Sequence, residues 1–219
     1  MRGILDMKKA IKVLIILVVT LVGVLAVPAQ KPMSATAVAA EYKRLLTLAA
    51  KLKKIPADKE DREPNKSFLK RNEKDIVYSD PAAEWYVRTE RFWDLAEKNK
   101  KFAISDEIAW TASETPIPGE CEGDLTCAAY SVRESAGRYL DDFPRGKHSR
   151  QALKDLSGFL QELVGDLGTR SAYTWPEDAT SKADFEKFLS DIQYILKKVP
   201  APANAKALDL AKRLAHNYQ

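Results

Sequence analysis

An all-α fold is the prediction of this sequence, and three observations carry it. Apolar residues recur at three- and four-residue steps in one segment after another, a spacing that gathers side chains on one face of a helix. The segments are bounded by proline, glycine or capping side chains. None alternates polar and apolar residues between tight-turn signals, so essentially no sheet is expected. With 219 residues, 45% hydrophobic and 30% charged, the chain can build one good core under a charged surface. One helical domain over 30–219 is expected.

The first element stands apart from that domain. Arg2, Lys8, Lys9 and Lys12 precede an apolar run from Val13 to Val27, broken only by Thr20 and Gly23, and Val27-Pro28-Ala29 follows. A basic region, an apolar middle and a small-residue exit make the layout of a secretory signal peptide, expected over 1–29 with cleavage after Ala29. Met7-Lys8-Lys9 is a more typical opening than the six residues before it. The alternative is an uncleaved membrane anchor, against which the run is short for a span of about 20 residues. No cysteine stands at the exit, so a lipid anchor is not expected.

Export changes the charge argument. Four basic residues and Asp6 leave +3 on the leader, so only +1 of the chain's +4 remains on the mature protein. That excludes a globally basic surface for nucleic acid or anionic lipid. Charge is unevenly spread, with eleven basic and six acidic residues from Lys43 to Asp75 and two basic and nine acidic from Ala103 to Asp142. Solvated helix faces account for such runs, and a bipolar surface meeting a charged partner is the other reading.

Ser34 caps the next expected helix, which runs to about Lys54 and buries Val38, Tyr42, Leu45, Leu46, Ala49 and Leu52. Pro56 stops it, and 57–66 reads as a flexible charged connector with too few apolar residues to fold alone. Ser67 to Asn72 suits a short helical turn, and Ile76-Val77-Tyr78 is an apolar link of undecided structure. Asp80 before Pro81 offers a capping carboxylate and a proline at the first helical position, so a helix is expected from there to about Asn99. Its aromatic residues Trp85, Tyr86, Phe92 and Trp93 suit a core. Alternatively, one or two of these rings line a groove that stacks on a sugar or peptide.

Ser105, Asp106 and Glu107 open a short helix through Ile108, Ala109 and Trp110, with acids in the first turn as the dipole favours. Thr115 to Asp124 is a proline-, glycine- and acid-rich loop. Cys121 and Cys127 are the only cysteines, and in an oxidising compartment a single pair reads as a disulfide that pins this loop to the following helix. A zinc site needs ligands this pair lacks.

The clearest periodicity follows. Leu125, Ala128, Ala129, Val132, Ala136, Tyr139, Leu140 and Phe143 form one stripe, and Leu153, Leu156, Phe159, Leu160, Leu163, Val164 and Leu167 form another. Pro144 and Gly146 turn the chain between them, giving a helical hairpin. Gly168 ends it, and a polar connector with Tyr173 and Trp175 leads to a helix capped by Thr180 or Ser181. That helix buries Phe185, Phe188, Leu189, Ile192, Ile195, Leu196 and Val199. Pro200-Ala201-Pro202 breaks it, and a last helix from about Ala203 to His216 uses Ala207, Leu208, Ala211, Leu214 and Ala215.

The stretch from Tyr139 through Phe143-Pro144-Arg145-Gly146-Lys147-His148 to Ala152 and Leu153 resembles the helix-turn-helix units of tetratricopeptide-like exported bacterial proteins. Outer-membrane-assembly lipoproteins and cell-division coordinators carry such units. The matching positions are Tyr139, Phe143, Pro144, Gly146 and Ala152, within roughly thirty residues. The resemblance implies stacked helix pairs that bind other proteins through a concave side. Other helix pairs do not repeat the spelling at a fixed period, and the usual lipid-bearing cysteine is missing. Trp110 to Cys127 also resembles segments of uncharacterised exported bacterial proteins, a likeness that implies no activity.

Reaction motifs are not found. His148 and His216, the only histidines, lack metal or triad spacing, and there is no glycine-rich phosphate loop, Gly-x-Ser-x-Gly elbow or His-Glu-x-x-His. The remaining enzyme reading is a glycan hydrolase, with Glu107 beside Trp110 as the acid and Glu114, Glu120 or Asp124 as the second carboxylate. A cation site on Glu120, Glu122 and Asp124 lacks calcium-loop spacing. No catalytic residue, metal ligand or cofactor is therefore expected. The expected function is an exported, non-enzymatic scaffold or adaptor that contacts another envelope or secreted protein, without nucleic acid and without a membrane span once the leader is cut. The alternative is carbohydrate or cell-wall binding through Trp85, Trp93 and Trp110.

Overall fold

The computed structural model describes residues 33–218, so the expected leader over 1–29 lies outside the described residues. The first helix, α1 (Ala35–Leu52), begins where the sequence places it: Ser34 Oγ accepts from the Ala37 amide at 3.2 Å. Its buried residues are Val38, Leu45, Leu48 and Leu52. Leu48 thus replaces Leu46 in the stripe, and Leu46 is 41% exposed. The charged connector contains a 3-10 turn at Ala57–Lys59, and α2 (Asn65–Asn72) follows.

The expected helix from Asp80 is corrected. Strand β1 (Ile76–Ser79) pairs antiparallel with β2 (Glu84–Val87), placing Tyr78 opposite Trp85 and Ile76 opposite Val87. Asp80-Pro81 serves a β-turn as readily as a helix start, and the Ala83 amide closes the turn on the Asp80 carbonyl at 3.2 Å. Two runs of β-branched and aromatic residues across that turn outweigh the capping signal. The expectation of no sheet fails with it, although this hairpin is the sheet in full among the described residues. Helix α3 (Thr89–Glu97) starts only after β2 and buries Phe92, Trp93, Leu95 and Ala96.

Helix α4 (Ile104–Glu114) packs along α3. Ser105 stands at its second position. It is buried within the first turn, its hydroxyl donating to the Asn99 carbonyl at 2.6 Å while Asn99 Nδ2 donates to the Leu95 carbonyl at 2.8 Å. The first arm of the central hairpin then runs as α5 (Leu125–Val132), a π turn (Arg133–Gly137) and α6 (Arg138–Asp142). The second arm is α7 (Ser149–Asp166), followed by α8 (Ala179–Lys198) and α9 (Ala205–Asn217). Asp178, not Thr180 or Ser181, caps α8, its carboxylate accepting from both of their amides at 2.9 and 3.0 Å.

The two arms meet over the π turn and α6, and elsewhere each finds another partner. α5 and α6 run parallel beside α8, with Arg133 near Asp191 and Asp141 held by Lys198 at 2.6 Å. α7 lies on α9. α8 and α9 are antiparallel, as Phe185 meets Tyr218 at one end and the Leu196 carbonyl accepts from Asn204 at the other. The predicted α8 stripe is buried in full, from Phe185 to Val199. The described residues from Ser34 onward form one unit with a continuous core. No described helix is long and apolar enough to cross a membrane.

Candidate functional site

The turn between α6 and α7 lands on the N-terminus of α4, and this brings together residues that the sequence singled out separately. Tyr139, fully buried, sends its hydroxyl to Asp106 Oδ1 and accepts from the His148 amide at 3.0 Å. Asp106 Oδ2 accepts from the Lys147 amide at 2.7 Å. Glu107 Oε2 lies 2.9 Å from Lys147 Nζ and 3.1 Å from His148 Nε2. The Trp110 ring stacks on His148, centroids 4.9 Å apart at 5°, and presents an edge to Tyr139 at 5.4 Å. Ser149 Oγ ties the turn itself, donating to the carbonyls of Phe143 and Gly146.

Gly146 is a packing requirement here. A Cβ at this position would strike the Tyr139 hydroxyl, Asp106 Oδ1 at 2.8 Å and Phe143 Cβ at 2.9 Å. The glycine therefore admits the close approach of three groups rather than a positive backbone angle. Ala152, buried, lies one turn into α7.

The electrostatics of this cluster favour fixed charge. Hydrogen bonding from His148, then from Lys147, holds the Glu107 carboxyl below its ordinary range. Burial, then the Asp106 carboxylate, pushes the Tyr139 phenol above its own, so it stays a proton donor. A general acid for glycan cleavage needs the opposite of what Glu107 has, a carboxyl raised by its surroundings. Glu114 and Glu120 are exposed, and the Asp124 carboxylate caps α5 by accepting from the Cys127 amide at 2.6 Å. The cluster is built to clasp the turn to α4.

The aromatic candidates occupy separate settings. Trp93 is buried, with the Arg138 guanidinium over its ring at 4.5 Å. Trp85 is half-buried and donates from Nε1 to Glu60 at 2.8 Å. Trp110 is half-buried in the clasp just described.

Cys121 and Cys127 stand at disulfide distance, 2.07 Å between sulfurs. Their loop is also pinned from outside, because the Leu125 amide donates to the Thr174 carbonyl and the Thr174 amide to the Gly123 carbonyl. The 169–175 connector is in turn wound around Asp166, which sequence reasoning missed. This residue, 4% exposed, accepts from the amides of Ser171, Ala172 and Tyr173, from the Thr169 hydroxyl and from Trp175 Nε1. Those donors, the Ala172 amide foremost, hold its carboxyl well below the usual range. The available signal was an Asp at a helix end followed by Gly, Thr and Ser, a composition that favours side-chain-closed turns. Among the described residues no three His, Cys, Asp or Glu side chains converge as metal ligands.

A second missed feature is an open groove of about 370 Å³ between α5, with its π turn, and α8. Ala129 and Phe188 are its buried lining, and Tyr130, Arg133, Asp184 and Lys187 are among its polar walls. Tyr130 is 61% exposed, and Tyr194, farther along α8, is 62% exposed.

No protein-family model, curated protein or solved structure matches this chain.

Proposed function

We propose that the protein is an exported, non-enzymatic helical scaffold or adaptor that makes protein–protein contacts in the cell envelope. The observation that carries this reading is the outer surface of α8 and the neighbouring α5. There Tyr194 and Tyr130 keep most of their area in water, 62% and 61%, more than the other exposed large apolar residues, Met33 and Leu46. Aromatic residues are enriched where proteins meet, because one rigid ring buries a large area at small entropic cost.

Two further points support it. The polar residues with the best geometry for chemistry, Asp106, Glu107, Tyr139 and His148, are engaged with one another in holding a turn. A tetratricopeptide-like arrangement, suggested by the spelling of the same turn, belongs to this proposal. The leader-like layout of 1–29 is the ground for export. Carbohydrate binding through Trp85, Trp93 and Trp110 is not favoured, since Trp93 is buried and the other two are committed to contacts within the chain.

Gentle crosslinking of the full chain in its native envelope, followed by co-purification, tests this function. The expected result is a discrete heteromeric adduct that weakens in Tyr194→Ser. Recovery of monomer alone contradicts it.

A further inference from the structure

The groove between α5 and α8 has a lining chemistry of its own. Its walls are helices whose backbone groups are already paired, so a bound chain cannot be held by strand addition and must be held by side chains. Tyr130, Thr126 and Asp184 carry hydroxyl and carboxylate groups into this lining that hydrogen-bond to no described residue. Arg133 Nε is buried without a hydrogen-bond partner, because its neighbour Asp191 Oδ2 stands 3.8 Å away and is held at 2.8 Å by Lys187. The polar groups of Thr126, Tyr130 and Asp184 thus stand around one opening, while Arg133 Nε lies buried behind it. A volume of about 370 Å³ falls within the usual range for small-molecule sites, about 300–1,000 Å³.

Charge and shape narrow the ligand. Arg133 and Lys187 nearly balance Glu134, Asp184 and Asp191 along the walls, so a strongly charged ligand gains little and meets repulsion from one sign or the other. A neutral ligand that both donates and accepts fits better. Tyr130 adds a broad ring face, 61% exposed, suited to the C–H face of a sugar ring. The wall carrying Tyr130 and Arg133 also leads into a π turn, Arg133–Gly137, an irregularity that is frequent at binding sites.

We propose that this groove binds a neutral saccharide chain, with Tyr130 as the stacking platform, Asp184 accepting from sugar hydroxyls and the exposed part of the Arg133 guanidinium donating to a sugar oxygen. The site differs from the tryptophans that composition suggested, and it shares Tyr130, but not Tyr194, with the surface on which the adaptor reading rests.

The test is titration of the full chain with chitotetraose, cellotetraose and maltotetraose, followed by amide chemical-shift mapping. At least one tetramer is expected to bind with a Kd below about 1 mM, with shifts centred on Tyr130, Asp184 and Arg133. Tyr130→Ala should weaken binding about tenfold and Asp184→Asn about fivefold. Both positions are exposed, so each variant should keep the wild-type circular dichroism. Tyr194→Ser, outside the groove lining, should bind as wild type, which separates this result from loss of protein capture. No binding of any tetramer at about 10 mM, or binding unchanged in both Tyr130→Ala and Asp184→Asn, overturns the proposal.

Discussion

Gly146 and Tyr139 are coupled at the central turn, because one makes room for the other. In Gly146→Ala the added methyl collides with the Tyr139 hydroxyl and with Asp106 Oδ1, and overpacking of this kind costs about 1–3 kcal/mol. Tyr139→Phe removes the hydroxyl but leaves Asp106 and the His148 amide without that partner, again about 1–3 kcal/mol. Since the phenylalanine also removes one of the collisions, the double variant should lose less than the two single losses added together, as urea unfolding would measure. Strict additivity would mean the two residues do not share a contact. Asp166 makes a second residue-scale prediction, with a definite sign. Its carboxyl titrates lower in the folded chain than in the unfolded one, so its contribution is fully present above about pH 4 and is lost as pH falls through the depressed folded value. Wild type should therefore lose stability steeply below about pH 4, and Asp166→Asn should be weaker at neutral pH with a flatter acid limb. Parallel acid limbs in the two proteins would refute the assignment. The sequence pointed to Tyr139 and Gly146 through the spelling of the turn. It was silent on Asp166 because a buried carboxylate among main-chain amides leaves no periodic mark.

At the scale of elements, helices with clean stripes were legible and the hairpin was not. α8 buries all seven apolar residues expected of it, because a stripe on a long helix has one way to leave water. The region around Trp85 was misjudged, since Asp-Pro followed by aromatic residues suits both a helix start and a strand after a turn. What decided it is the pairing of two short runs across the turn, a cross-strand term that a helix-start signal read by itself does not weigh. The α1 stripe was displaced at one position, and this gives a sharp contrast: Leu45→Ala, at 1% exposure, should cost about 2–5 kcal/mol. Leu46→Ala should stay within about 0.5 kcal/mol of wild type. Equal losses in thermal unfolding would contradict the register described for α1. The cysteine loop is likewise an element with two fastenings. Replacing Cys121 and Cys127 by serine should cost roughly 2 kcal/mol and speed amide exchange at Leu125 and Thr174, whose main-chain bonds depend on the loop's position.

Over the whole molecule, the sequence anticipated a mainly helical chain with a single core, and the described residues have that form apart from the small hairpin. Pairing of helices was not legible, because a stripe says that a face is buried and not against what. The hairpin of α5–α6 and α7 joins at its turn and then divides between α8 and α9, and that division opens the surface on which Tyr130 and Tyr194 stand. The uneven charge of the sequence is partly resolved by long-range pairs such as Lys100 with Asp142 and Lys198 with Asp141, each at 2.6 Å. These tie the acidic end of α6 to α8 and to the segment after α3. The claim on which the functional account turns is that the α5–α8 side meets another envelope protein. Its most direct test is a photo-crosslinking amino acid placed at Tyr194, with Lys212 of α9 as the exposed control, in cells expressing the full chain. A discrete protein adduct at 194 and none at 212 is the predicted result; no adduct at 194, or the same adducts at both positions, would contradict it.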